Sequence, residues 1–205
     1  MLALQRRLHA RVAAGIERDT WIVVEHDPVV TLGRTAKRAN LLLAPERLNA
    51  LGIDVVEVER GGDVTYHGPG QLVVYPIVKL PQFREVAPLV SALERSVTRA
   101  LDQFGVCAGT RSEHRGVYVG TNAICAIGLS VKGMTSMHGL ALNVSTPLDY
   151  DRWITPCGTP EFGITSLSHE LDRNVPLEES KAVLLTALAQ TFELAWEAQC
   201  DQVAS

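Results

Sequence analysis

No apolar run in this 205-residue chain approaches the ~18 residues that a membrane-spanning helix needs. No export signal is visible at its start either, so no membrane association is expected. Basic residues are in the minority. Lysine and arginine total 19 against 23 aspartates and glutamates, a formal net charge of −4. An acidic surface repels phosphate backbones and anionic lipid, which argues against nucleic acid as well as membrane partners. Cysteine is sparse, at positions 107, 125, 157 and 200, without a C-x-x-C pair or a His/Cys spacing suited to zinc. That excludes a disulfide framework, leaves no metal or other cofactor expected, and points to a reducing cytoplasm. Repeats, low-complexity tracts and compositional breaks are also missing, so a single domain over residues 1–205 is expected.

What the chain does have is apolar material for one substantial core, with 46% hydrophobic residues. Leu2, Leu4, Leu8 and Val12 predict an amphipathic helix over Met1 to Ala14. A strand from Thr20 to Glu25, a short strand between turns in Asp27 to Arg34, and a brief helix from Pro45 to Leu51 follow. Strands are expected at Ile53 to Val58 and Leu72 to Val78. Leu89, Leu93, Val97, Leu101 and Phe104 then mark a long helix over Val86 to Phe104, ended by Gly105. Gly116 to Val119, Ile124 to Val131 and Ser136 to Val144 read as antiparallel strands joined by turns. Pro147 to Trp153 is a loop or short helix, and helices are expected at Thr165 to Leu171 and Leu177 to Ala198. Strands and helices do not alternate strictly, so the fold class is α+β, or mixed α/β, rather than doubly wound.

Between two of those strands lies Arg60-Gly61-Gly62-Asp63-Val64-Thr65-Tyr66-His67-Gly68-Pro69-Gly70-Gln71, read as one glycine-rich connection. Such a segment exposes backbone N–H groups and lets main chain approach a ligand closely. Arg60, Thr65 and His67 add a cation, a hydroxyl and an imidazole. Cys157 stands between Pro156 and Gly158, where a small neighbour leaves sulfur unshielded, as a nucleophile requires. Cys107 and Cys125 read as small buried hydrophobes, Cys107 in a short strand, and Cys200 as incidental. His67 and His138 are candidate proton carriers, each weighed against an ordinary structural role, and His26 reads as a capping or turn residue. Small residues in Gly139-Leu140-Ala141 leave room for a ligand chain or a neighbouring strand.

Taken together, these motifs resemble the lipoyl(octanoyl) transferase family. The resemblance runs from about Trp21 to Leu167. It rests on Glu25-His26-x-Pro28-Val29, the RGGDVTYHGPGQ segment, Gly116-Val117-Tyr118, Ile124-Cys125-Ala126-Ile127-Gly128, His138-Gly139-Leu140-Ala141-Leu142-Asn143, and Pro156-Cys157-Gly158 with Thr165-Ser166-Leu167. The resemblance implies the fold of the biotin and lipoate protein ligase catalytic modules. It implies transfer of an octanoyl or lipoyl group from octanoyl-acyl carrier protein to a lysine of a lipoyl domain. Acceptors would be lipoyl domains of 2-oxoacid dehydrogenase complexes and the glycine-cleavage H protein. Cys157 would carry the acyl thioester, and Arg60 to His67, Ala126 to Gly128 and His138 to Ala141 would line the substrate site. Burying the acyl tail would contribute on the order of 0.8 kcal/mol per methylene.

Two departures from the family pattern stand out. The family carries a lysine immediately before the I-C-A-I-G strand, where it lowers the nucleophile's pKa and handles protons; here that position is Ala123. Without the ammonium, a thiol is expected to titrate near ~8.5. Lys132 offers no substitute, since nine strand residues span roughly 30 Å. The alanine is read as an introduced Lys→Ala change, with a natural member of impaired or rerouted activity as the alternative; an alanine codon in the natural gene decides for the latter. The family also usually carries a further strand before the first helix, on which this sequence opens. Competing readings are an ATP-dependent lipoate or biotin ligase, which needs a lysine near the activated carboxylate, and a non-catalytic acyl-binding protein. A basic patch with Arg34, Lys37 and Arg38 is the expected dock for an acidic carrier.

Overall fold

A computed structural model describes residues 1–158 and 161–197, apart from the Cys157 side chain. Ala198 and Cys200 therefore lie outside the described residues. The elements run α1 (Leu2–Ala13), β1 (Thr20–Val24), β2 (Val29–Leu32), α2 (Pro45–Ala50), β3 (Asp54–Glu57), β4 (Val64–His67), β5 (Gln71–Ile77) and α3 (Val86–Gln103). They continue with β6 (Gly116–Val119), β7 (Asn122–Lys132), β8 (Thr135–Asn143), β9 (Gly163–Ile164), α4 (Leu167–Glu170) and α5 (Leu177–Phe192).

The larger sheet has the order β1-β5-β8-β7-β6, antiparallel throughout, with β9 added in parallel to β7. Its interior strand β5, between β1 and β8, is buried at every position, as its near-continuous apolar sequence requires. One face packs on α3 and α5 through Leu89, Leu93, Val97, Leu184 and Leu188. The other carries α1, where Val12 meets Val73, Tyr75 and Ala141. A second sheet, β3-β2-β4, has its own core of Val30, Leu48, Ile53, Val64 and Tyr66.

The second sheet corrects the reading of the glycine-rich segment as an unbroken connection. Val64-Thr65-Tyr66-His67 is a strand, paired antiparallel with β2 from Val64 opposite Leu32 to His67 opposite Val29. Its β-branched and aromatic residues find a partner strand more than thirty positions earlier, which local composition does not reveal. The Arg60–Gly62 stretch before it covers the outer edge of β7, Gly61 N–H donating to the Leu129 carbonyl at 2.8 Å. Two further expectations change. Cys107 is exposed and lies in no strand, because the chain leaves α3 through Gly105 (φ +77°) and pairs only at Gly109 with Tyr118. The last helix stops at Phe192, where Glu193 turns left-handed (φ 54°) and brings Trp196 back against Trp21 at 5.6 Å.

The ladder between β5 and β8 is interrupted in mid-sheet. Pro76 has no N–H to donate, and His138 is turned to φ 61°, a costly conformation for a residue with a Cβ. The displaced His138 N–H is accepted by Gln5 Oε1 at 2.9 Å, so α1 is tied to the break.

Candidate functional site

A cavity of about 570 Å³ lies where the two sheets face each other. Arg60, Gly61, Gly62, Asp63, Thr65 and His67 line it from the glycine-rich segment. Ala126, Ile127, Gly128 and Leu129 line it from β7, and His138, Gly139, Leu140 and Ala141 from β8. Val64 and Tyr66, also expected there, do not line this cavity. Strand side chains alternate, so β4 sends Thr65 and His67 into it and Val64 and Tyr66 into the second sheet's core. Tyr66 stacks on Tyr150 with ring centroids 4.7 Å apart.

A small residue brings two of the cavity's walls together. A Cβ on Gly128 would stand 2.9 Å from the Gly61 carbonyl and 3.2 Å from Arg60 Cδ, so the glycine lets the Arg60 loop close over β7. Arg60 is held flat by Thr31: Nη2 donates to the Thr31 carbonyl at 2.7 Å and Nε to its hydroxyl at 3.1 Å. His67 is fixed by Gln71, whose side-chain oxygen accepts from Nδ1 at 2.7 Å, leaving Nε2 as the lone-pair nitrogen facing Thr31. That orientation is assigned from the amide, which donates onward to Asn143.

His26 corrects another expectation. It lines the cavity, with Nε2 at 2.8 Å from the Tyr75 hydroxyl and its ring 5.7 Å from that of His67. Tyr75, Thr31 and Gln5 also contribute to the wall without having been singled out from sequence. The near-continuous apolar run of β5 gave no signal that singled out Tyr75, and Gln5 had none either.

The Cys157 side chain lies outside the described residues, but its turn does not. Pro156–Gly158 forms a 3-10 turn, and Pro156 shares a second space of about 20 Å³ with Ala123, Thr65, Ala126 and Ala141. Thr65, Ala126 and Ala141 line both spaces, so the turn stands just across a wall from the larger cavity. After the turn, β9 places Ile164 beside Ala123, and Thr165 N–H donates to the Ala123 carbonyl at 3.0 Å. The cysteine turn, the glycine-rich segment and position 123 thus meet in one region. Among the described residues no lysine lines either space, and no three His, Cys, Asp or Glu side chains gather to hold a metal. No helix among them is long and apolar enough to cross a membrane.

The lipoyl protein ligase A/B catalytic domain family matches residues 1–189. An octanoyltransferase of Syntrophobacter fumaroxidans is 44% identical over 95% of this chain and 86% of its own length. This chain belongs to the lipoyl(octanoyl) transferase family. The fold agrees: lipoate-protein ligase A bound with ATP superposes with a TM-score of 0.79 at 15% identity, covering 96% of this chain and 83% of that one. Biotin protein ligase from Aquifex aeolicus aligns over 80% of this chain and 68% of its own, with TM-score 0.52 and 14% identity. This octanoyltransferase therefore has the mixed α/β catalytic fold of both ligase groups.

Burial shapes the protonation of the octanoyltransferase cavity. It pushes the His67 imidazole down to about 3, and His138 to about 4 against a partly opposing pull from Glu59. Both rings are therefore neutral at pH 7. Unfolded, each would titrate near ~6.5. Below that pH the unfolded chain takes up protons that the folded one refuses, so stability is whole above about pH 6.5 and drains as pH falls toward 4. At pH 5 the loss should approach about 2 kcal/mol per imidazole. Thermal melts at pH 7.5 and 5.0 check this: the His67→Gln variant should lose less Tm between the two than the parent.

Proposed function

We propose that this octanoyltransferase carries an octanoyl group from octanoyl-acyl carrier protein to a lysine of a lipoyl domain, through a thioester on Cys157. The supporting observation is the apposition of the Pro156–Gly158 turn to a cavity large enough for a fatty chain, with small and apolar residues of β7 and β8 among its lining. Thiolate at Cys157 would attack the donor thioester; the new acyl C–S bond forms as the donor's breaks, and the donor sulfur leaves and is protonated. The acceptor lysine's neutral amine then attacks, the C–N bond forms, the cysteine sulfur leaves, and the amine proton passes to solvent. Exchange of one thioester for another costs little, so the cysteine splits one difficult transfer into two easier ones. Backbone N–H groups beside Cys157 or in the Arg60–Gly62 loop are the candidate donors to the acyl oxygen.

The acceptors we infer are lipoyl domains of 2-oxoacid dehydrogenase complexes and the glycine-cleavage H protein, and the compartment the cytoplasm. Ala123, in place of the family lysine, should make the first half-reaction slow. Intact-protein mass after mixing with octanoyl-acyl carrier protein tests the proposal. An octanoyl increment labile to hydroxylamine, growing faster above pH 8.5 and missing from Cys157→Ser, is the expected result. An increment that survives in Cys157→Ser would refute the nucleophile. Bound acyl chain without any covalent increment at any pH would indicate a binding protein. Ligation of free octanoate with ATP would instead indicate the ligase reaction.

A further inference from the structure

Asp63 lines the cavity just before β4, and its carboxylate is held by three donors. Oδ1 accepts the N–H of Val64 at 2.8 Å and of Lys37 at 3.2 Å, and Oδ2 accepts from the Asn40 side-chain amide at 2.8 Å. The Asn40 main-chain carbonyl in turn accepts from Thr155 N–H at 2.8 Å, two residues before the cysteine. On the far side of Cys157, Gly158 has φ +70°, and a Cβ there would stand 2.6 Å from Asp63 Oδ2 and 2.9 Å from Asn40 Nδ2. The turn therefore lies directly on the Asp63–Asn40 pair. Leu42 N–H donates to the Trp153 carbonyl at 2.8 Å and fixes the approach.

We infer that Asp63 and Asn40 are positioning residues, which set where the cysteine turn stands relative to the acyl cavity. This rests on the reading of Cys157 as nucleophile. The glycine-rich segment then has two duties: Thr65 and His67 face the cavity, and Asp63 holds the turn against it. The link needs one donor facing one acceptor across positions 63 and 40. Attack on a bound thioester tolerates little displacement, and a shift of about 1 Å costs about 100-fold in rate.

The test exchanges donor and acceptor. Asp63→Ala removes the acceptor, Asn40→Asp sets two carboxylates against each other, and the Asp63→Asn/Asn40→Asp double variant restores one donor facing one acceptor. Cysteine acylation by octanoyl-acyl carrier protein is followed by intact mass at pH 9, and octanoate affinity by calorimetry. Each single variant should acylate about 100-fold more slowly with octanoate affinity unchanged, and the double variant should recover to within about threefold of the parent. Singles that acylate at the parental rate, or a double variant as slow as they are, would overturn the inference. So would octanoate affinity falling in step with rate, since that makes Asp63 a ligand contact. Should a single variant fail to fold, the double variant still decides, because it must both fold and acylate. Octanoyl gained by Cys157→Ser sinks the nucleophile reading instead, whatever the pair does.

Discussion

Ala123→Lys is expected to accelerate acylation of Cys157 by about 100-fold at pH 7. Position 123 borders the small space beside Pro156, and Ile164 and Thr165 fix that part of β7 to the segment following the cysteine. An unassisted thiol with a pKa of ~8.5 holds only a few per cent thiolate at neutral pH. An ammonium a few ångströms away favours the thiolate and can protonate the leaving donor sulfur, each effect adding to rate. The sign of the pH dependence follows. In the parent the rate should climb about tenfold per pH unit up to the thiol's own pKa; with lysine the rise should move to lower pH and flatten near neutrality. Single-turnover mass measurements from pH 6 to 9.5 check it. Superimposable profiles for the two chains would show that position 123 has no part in the reaction.

Gly139→Ala is expected to lower stability by about 3 kcal/mol or more, a Tm loss of about 6–12 °C. A Cβ there would collide with the Val74 carbonyl oxygen and stand 2.7 Å from Pro76 Cδ. Val74 belongs to β5, an interior and wholly buried strand, so backbone cannot retreat. The neighbouring His138 already holds φ 61°, which leaves the local chain little freedom to relax. Scanning calorimetry measures the difference. A Tm within about 2 °C of the parent would mean that the two strands are not in such close contact at this point.

Much of the helical layer was legible because α3 carries its apolar residues at helical spacing over eighteen positions. The hairpin of β7 and β8 was equally plain, with Gly133 at φ 56° between two apolar runs. What local pattern concealed was pairing over distance. β4 looks like part of a turn until β2 is beside it, and Val64 and Tyr66 look like pocket residues until strand alternation separates them from Thr65 and His67. His26 meets Tyr75 only because β1 and β5 run antiparallel, and Gln5 reaches His138 across 133 positions. Cys157 was picked out by its Pro and Gly neighbours, whereas the Asp63–Asn40 support beneath its turn joins loops that share no periodicity.

The alternation along β4 has a bearing on how this protein can change. Within four consecutive residues, Thr65 and His67 face the cavity, while Val64 and Tyr66 are fixed by the scaffold behind. Variation in substrate choice should therefore enter at Thr65 and His67 without passing through Val64 or Tyr66, so that a specificity dial and a structural pillar alternate along a single strand.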